Sequence, residues 1–344
     1  MGSAQDRATV GGGGIAPATD GKGKMQAIVY HEYGPPQVLE LEEVDKPVVG
    51  DNDVVIRVRA ASVNPYEWHF MRGEPYLARL SMGLSPKTGR LGADVAGTVD
   101  TVGRNVTEFQ SGDEVFGTCD GAFAEYAVGK ESSLVSKPAN VTFEQAGAVG
   151  IAAFTAIQGL RDWGQVQAGQ RVLINGAAGG VGTFAVQLAK VWGAEVTGVC
   201  STRNVDMVRS IGADHVIDYT RDDFTRGGRR YDLMLDPIGN HSLSRCRRAL
   251  TPKGTFVMLG GQSGRWIRPM DRVLKTLVLS PFVSQRLVLG TAVWSKADLV
   301  LLQELMGSGQ VTTVIDRIYP LSHVPEAIAY LEEGHARGKV VITV

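Results

Sequence analysis

Cysteine is scarce in this chain. Of 344 residues only Cys119, Cys200 and Cys246 are cysteine, and no two form a CxxC pair. That argues against a disulfide framework or a zinc knuckle and makes a reducing cytoplasm the expected compartment. Net charge is scarce as well: 35 Lys and Arg against 36 Asp and Glu leave −1 at pH 7, so no basic excess calls for a nucleic-acid partner. The six histidines, at positions 31, 69, 215, 241, 323 and 335, form no HxxxH or HExxH pair. Long apolar runs are missing too. Residues 273–294 come nearest, but Lys275 and Arg286 interrupt them and Pro281 breaks a helix, which argues against a membrane span. Arg265, Arg268, Arg272 and Lys275 lead into that stretch, opposed by Asp271 alone. Three placements stay open for residues 265–294: a core or subunit contact, a lid over a cleft, or a membrane surface. Residues 1–24 are polar and glycine-rich, without the apolar segment of a secretory signal, and read as a disordered extension.

What is present begins with 44% hydrophobic residues, enough in a chain of this length for two domains with their own cores. Residues 172–190 read VLINGAAGGVGTFAVQLAK, a short apolar run entering a glycine-rich turn that opens into a helix-patterned segment. Ala178, Gly179, Gly180, Val181 and Gly182 form the turn and helix start. A side chain at Gly179 would keep the backbone from a pyrophosphate, and one at Gly182 would hold the helix off the strand; the free N–H groups of the helix start face the anion. Ala177 stands in place of the first glycine. Glycine-rich turns also serve ordinary loops, and the context decides. Strands are predicted at 172–174, 195–200, 215–217, 231–235 and 255–259, with helices at 181–192, 205–211 and 242–250, an alternation that means a parallel sheet covered by helices.

The second of these strands ends near Cys200, where an NAD-selective site carries an acid about 20 residues after the glycines. Ser201, Thr202 and Arg203 follow instead. Two hydroxyls and a guanidinium suit a 2′-phosphate, so NADPH is the expected cofactor; Arg203 as a plain solvated residue is the bland alternative.

Before and after this unit the texture is different. Short alternating strands are predicted at 25–30, 39–44, 53–62, 96–102 and 124–128, and again at 315–319 and 340–344 around a helix at 324–333. The simplest organisation is a mostly-β catalytic domain, residues 25–148 plus 296–344, with a nucleotide domain at 149–295 inserted in it and a ligand cleft between.

As a whole the pattern resembles the medium-chain dehydrogenase/reductase superfamily, and within it the zinc-independent quinone oxidoreductase (zeta-crystallin-like) branch. The resemblance covers nearly all of residues 25–344. It is carried by Ala61-Ser62-Val63-Asn64-Pro65, Gly92-Ala93-Asp94-Val95-Ala96-Gly97, Ser111-Gly112-Asp113-Glu114-Val115, Ala153-Phe154-Thr155-Ala156, Asn175 to Gly182 and Arg337-Gly338-Lys339-Val340-Val341. It implies an α/β protein with a GroES-like catalytic domain, a Rossmann-like doubly wound parallel sheet, and a homodimer or homotetramer. Where the family's zinc enzymes place a cysteine ligand this chain has Asn64, and where they place Gly-His-Glu it has Gly92-Ala93-Asp94; the four-cysteine lobe is missing as well. No metal site is expected. Without a Lewis acid, simple alcohol oxidation recedes, and hydride transfer from NADPH to an already activated acceptor, a quinone or α,β-unsaturated carbonyl, becomes the expected reaction. A zinc-free NADP-dependent alcohol or aldehyde oxidoreductase, and a catalytically weak NADPH-binding regulatory protein, are the alternatives.

Asn64 lies where the family's counterpart faces nicotinamide and substrate, and its amide can donate to a substrate oxygen; Asn before Pro is also a common turn. His69 aligns with a tyrosine that resembling quinone reductases place near the substrate, and an imidazole can supply the proton; a helix-packing role competes. Tyr66 and Trp68 would wall the pocket, or belong to the core. Thr155 resembles a nicotinamide-contacting position, against a hydroxyl bonded back to its own helix. Gly260 and Gly261 would let the cofactor cross near the backbone, or make an ordinary turn. The resemblance carries Lys339 over as a cofactor-proximal cation. Asp236 reads as structural.

Overall fold

The computed structural model describes residues 23–344, apart from 75, 77–78, 80–82, 84, 87–88, 260–273, 275 and 277–278. Two strands, β1 (Lys24–Val29) and β2 (Glu40–Asp45), pair antiparallel at the start of the chain. Five more follow: β3 (Asp53–Val63), β4 (Asp94–Val102), β5 (Glu114–Thr118), β6 (Tyr126–Lys130) and β7 (Leu134–Ser136). β3 organises them. One edge pairs with β4 along most of its length, and β6 takes the first half of the other edge, Asp53 to Arg57. The second half of that edge, Ala60 to Val63, pairs with β15 (Lys339–Thr343) from the far end of the chain, which in turn carries β14 (Ile315–Pro320). Closure by β15 returns the last residues of the sequence to the strand that leads into Asn64.

Between these strands lie six more: β8 (Arg171–Asn175), β9 (Glu195–Cys200), β10 (His215–Asp218), β11 (Tyr231–Asp236), β12 (Leu250–Met258) and β13 (Arg286–Leu289). All neighbours in this sheet are parallel, in the order β10-β9-β8-β11-β12-β13. That is the doubly wound order 3-2-1-4-5-6, whose ligand crevice opens beyond the carboxyl end of the first strand. The apolar run on β8 has a reason in the layering. Val172 and Ile174 pack into one core with Phe184 and Leu188, while Leu173 points to a second core with Leu243, Cys246 and Phe256. A strand covered on both faces has no polar side to show.

The predicted helix at 181–192 is Gly180–Val191 and that at 324–333 is Val324–Glu332. β5, β7 and β13 lie where no strand was predicted. β13 is the described outcome for the 265–294 stretch: its Arg286–Leu289 run adds a sixth strand to the sheet edge. No helix of the described residues is long and apolar enough to cross a membrane.

Gly182 shows how tightly the first crossover is packed. A Cβ there would lie 2.1 Å from the Gly176 carbonyl oxygen and 2.8 Å from Ala177 Cα. Backbone on both sides cannot yield as a side chain can. Gly182→Ala is expected to lower stability by about 3 kcal/mol, read as a shift of the urea midpoint at unchanged slope; an unmoved midpoint contradicts this packing.

Candidate active site

The glycine-rich turn sits at the switch point of the sheet. β8 ends at Asn175, whose amide donates to Asp236 Oδ1 at 2.8 Å and to Asn240 Oδ1 at 2.9 Å, tying the carboxyl ends of β8 and β11 together. Asp236 also accepts from the Gly239 N–H at 2.9 Å, a structural role. The chain then turns through Gly176, at φ +87°, and Gly179 caps the helix Gly180–Val191 with no side chain on its first N–H groups. Those of Gly180, Val181 and Gly182 have no acceptor within the helix. A Cβ built on Gly179 would meet only the Gly176 oxygen, at 3.5 Å. The turn is therefore a cradle lined by backbone donors, which fits a pyrophosphate.

Ser201, Thr202 and Arg203 directly follow the end of β9. Ser201 Oγ accepts from Asn204 at 3.2 Å, and the exposed Arg203 reaches the His335 carbonyl oxygen of the C-terminal arm. Sequence reading missed Asp218, at the end of β10. Thr202 Oγ1 donates to its carboxylate at 2.5 Å, and Thr220 and Arg221 also contact it, at 2.8 and 3.6 Å. These contacts hold the Asp218 carboxyl below its usual range, Thr202 foremost. One guanidinium, that of Arg221, thus pairs with this carboxylate, while Arg203 is turned to the C-terminal arm.

The C-terminal arm crosses this loop. The Gly338 N–H donates to the Ala178 carbonyl at 2.7 Å, and a Cβ on Gly180 would lie 3.2 Å from Lys339 Cδ. Lys339, only 3% exposed, then runs inward. Its ammonium donates to Asn64 Oδ1 and lies 3.5 Å from Asp94 Oδ2. Asp94, fully buried, also accepts from Ser62 Oγ at 2.6 Å, Asn64 Nδ2 at 3.0 Å and the Ile151 N–H at 2.8 Å. Asn64 was expected to offer its amide to a substrate. The structure instead shows both ends of that amide engaged, Oδ1 by Lys339 and Nδ2 by Asp94 and the Ser62 carbonyl, so Asn64 reaches any ligand through this network.

Glu67 closes the network from below. It lies at the third position of the helix Pro65–Arg72 that Asn64 caps. Its Oε2 accepts from the Asn64 N–H at 2.7 Å and its Oε1 from the Ala93 N–H at 3.2 Å. Burial pushes its carboxyl up to about 7, and the Asp94 carboxylate adds to the rise.

On the same helix, His69 Nδ1 is buried with no hydrogen-bond partner, and its ring stacks on Trp68 with centroids 3.7 Å apart. Burial lowers the pKa of His69. Tyr66 packs on Phe70 at 4.4 Å, and burial pushes its phenol up to about 12, aided by Asp120 and Glu67. Trp68 is half-buried against the catalytic-domain core. Thr155 Oγ1 donates to the Ile151 carbonyl at 2.7 Å. Its hydroxyl proton is spent within its own helix, which departs from a cofactor-directed donor. Gly260 and Gly261 lie outside the described residues.

Glu67 has a consequence for pH. Its folded-state pKa, about 7, lies above the ordinary 4.5, so the folded protein holds this proton longer than the unfolded chain. Stability from it is complete below about 4.5 and is lost as pH rises toward 7, by roughly 3 kcal/mol in all. Unfolding free energies measured between pH 4.5 and 8 are expected to show this fall in the wild type and not in Glu67→Gln; equal slopes in both contradict it.

Comparison with known proteins places the chain. Residues 50–139 match the alcohol dehydrogenase GroES-like domain and residues 211–342 the zinc-binding dehydrogenase family. The mitochondrial NAD(P)H oxidoreductase RTN4IP1 of Mus musculus is 33% identical over 96% of this chain and 92% of its own length. The quinone oxidoreductase of Homo sapiens is 31% identical over 94% of this chain and 98% of its own. Among solved structures, the quinone oxidoreductase from Coxiella burnetii superposes with a TM-score of 0.83 at 30% identity, covering 94% of this chain and 100% of that one. With a closed GroES-like β domain, a doubly wound sheet and relatives aligned along nearly the whole length, the chain belongs to the medium-chain dehydrogenase/reductase superfamily, in its quinone oxidoreductase branch.

Proposed function

We propose that this protein transfers hydride from NADPH to a quinone or α,β-unsaturated carbonyl without a metal. One observation carries the reading: Gly338 and Lys339 lie on the glycine-rich turn and, through the same lysine, on Asn64 and Asp94. The cradle for a pyrophosphate and the polar network of the catalytic domain meet at one residue.

Gly179 to Gly182 would hold the pyrophosphate on backbone N–H groups. Arg203 would hold a 2′-phosphate, with the hydroxyls of Ser201 and Thr202 beside it. NADPH, when bound, supplies the hydride. The chain's own residues do the rest. Lys339, buried behind the crevice with Asn64 and Asp94, contributes a positive charge that would help stabilise negative charge building on the acceptor oxygen. Tyr66 and Trp68 offer flat walls for a planar acceptor. Burial lowers the pKa of His69 and so favours its neutral form. An anion forming beside its unpartnered nitrogen raises its pKa, so that the ring takes up a proton from solvent and hands that proton to the anionic product, returning to the neutral form. The overall balance is NADPH, a proton and the acceptor giving NADP⁺ and the reduced product.

The zinc-free part of the reading rests on residue chemistry. Asn64 and Ala93 supply no thiolate or imidazole where the zinc enzymes place theirs, and the Lys339 ammonium is the cation bonded to Asn64. The expected assembly is a homodimer, for which the outer edge of β13 is open among the described residues.

An oxidation screen of NADPH and NADH against quinones, enones and aldehydes tests this. Turnover is expected with quinones or enones, and with NADPH preferred. Arg203→Ala should raise KM for NADPH by about 10- to 100-fold and leave NADH unchanged, while His69→Phe lowers kcat. Preference for NADH, or activity confined to aldehydes, contradicts it.

A further inference from the structure

The opposite edge of the parallel sheet carries a second charged concavity. Arg230 immediately precedes β11, Leu250 opens β12, and Ser284 and Gln285 precede β13. With Arg247 and Arg248 they line a hollow of about 450 Å³. Because the strands are parallel, this hollow lies at their amino ends, whereas the glycine-rich turn follows the carboxyl end of β8. A six-residue strand separates the two edges by roughly 20 Å.

Three guanidiniums converge on the hollow, and none forms an ion pair with a described carboxylate. Most of the other arginines here are neutralised: Arg221 by Asp218, Arg226 by Asp223 and Arg229 by Glu195. Arg247 is also aimed. Its Nε donates to Gln285 Oε1 at 2.8 Å, and Gln285 Nε2 donates back to the Arg247 carbonyl at 3.2 Å, which holds the guanidinium plane, and its terminal nitrogens have no hydrogen-bond partner among the described residues. Among the described residues Arg230 hydrogen-bonds only to backbone oxygens, at 3.3 and 3.5 Å, and Arg248 is exposed. Ser244 adds a hydroxyl at the rim. Leu250 and Pro252 make an apolar floor. Gathering like charges around a hollow costs free energy unless an anion occupies it, and planar guanidiniums match phosphate oxygens in pairs.

We propose that this hollow binds a phosphate-bearing ligand with a small apolar body, at a site separate from the catalytic cleft. The probe is inorganic pyrophosphate, titrated calorimetrically into the full chain and into Arg230→Gln/Arg248→Gln, both exposed positions. Arg247→Gln is a second variant should the first not fold. Binding in the wild type that weakens at least about tenfold in a variant, or drops by one site per chain, supports the proposal. Vesicles of phosphatidylcholine containing phosphatidic acid form a second arm: capture that the variant loses, without binding of free pyrophosphate, places the phosphate on a lipid headgroup. Absence of binding up to about 5 mM in both arms overturns the proposal, as does binding that the variants leave unchanged, which would belong to the glycine-rich turn.

Discussion

One ammonium holds the site together. Lys339 is the buried cation of a cluster with Asn64, Asp94, Ser62 and Glu67, and it enters that cluster only because β15 pairs with β3 in the register that sets Val340 opposite Val63. A buried charge without partners costs several kcal/mol. The partners come from β3, β4 and the helix after β3, so closing the β domain and assembling the site are one event. The residue before Lys339 is bonded to Ala178, which extends the same coupling to the nucleotide domain. Arg72 and Glu332, paired at 2.8 Å, tie the helix that Asn64 caps to the helix before β15.

Each part of the arrangement limits what the others can do. Glycine at 182 is required by backbone contact, whereas a Cβ at 179 would stand in the open space of the turn. Asn64 is committed at both ends of its amide and Lys339 is held by Asn64 and Asp94, whereas the His69 Nδ1 nitrogen has no partner. Glu67, neutral or charged near pH 7, sets how much negative charge balances the ammonium.

Local chemistry was legible in the sequence; assembly was less so. The glycine turn, the strand before it and the Ser201–Arg203 group could be read because each depends on neighbours a few residues away, and periodicity reports such neighbours directly. β5 and β7 escaped because five and three residues carry too little alternation. β13 was hidden because its four residues begin at Arg286, which breaks the apolar stretch, and so carry too little alternation to mark a strand. Asp94 was read from the sequence as a replaced zinc ligand, yet it is the acceptor that gathers Ser62, Asn64, Lys339 and the Ile151 N–H from three places in the chain. Glu67 has a signal that went unread: a glutamate three residues after an N-cap asparagine marks a capping box. Asp218 comes beside Thr202 only through the pairing of β10 with β9.

The account's central claim is that Lys339 joins cofactor crevice and catalytic network. Equilibrium titration of NADPH into the wild type and Lys339→Met, followed by single-turnover reduction of a quinone, tests it most directly. The account predicts wild-type binding in the micromolar range, on the order of −8 kcal/mol, with the variant losing both affinity and the hydride-transfer step. A folded Lys339→Met protein that binds NADPH and reduces the quinone as the wild type does would contradict it.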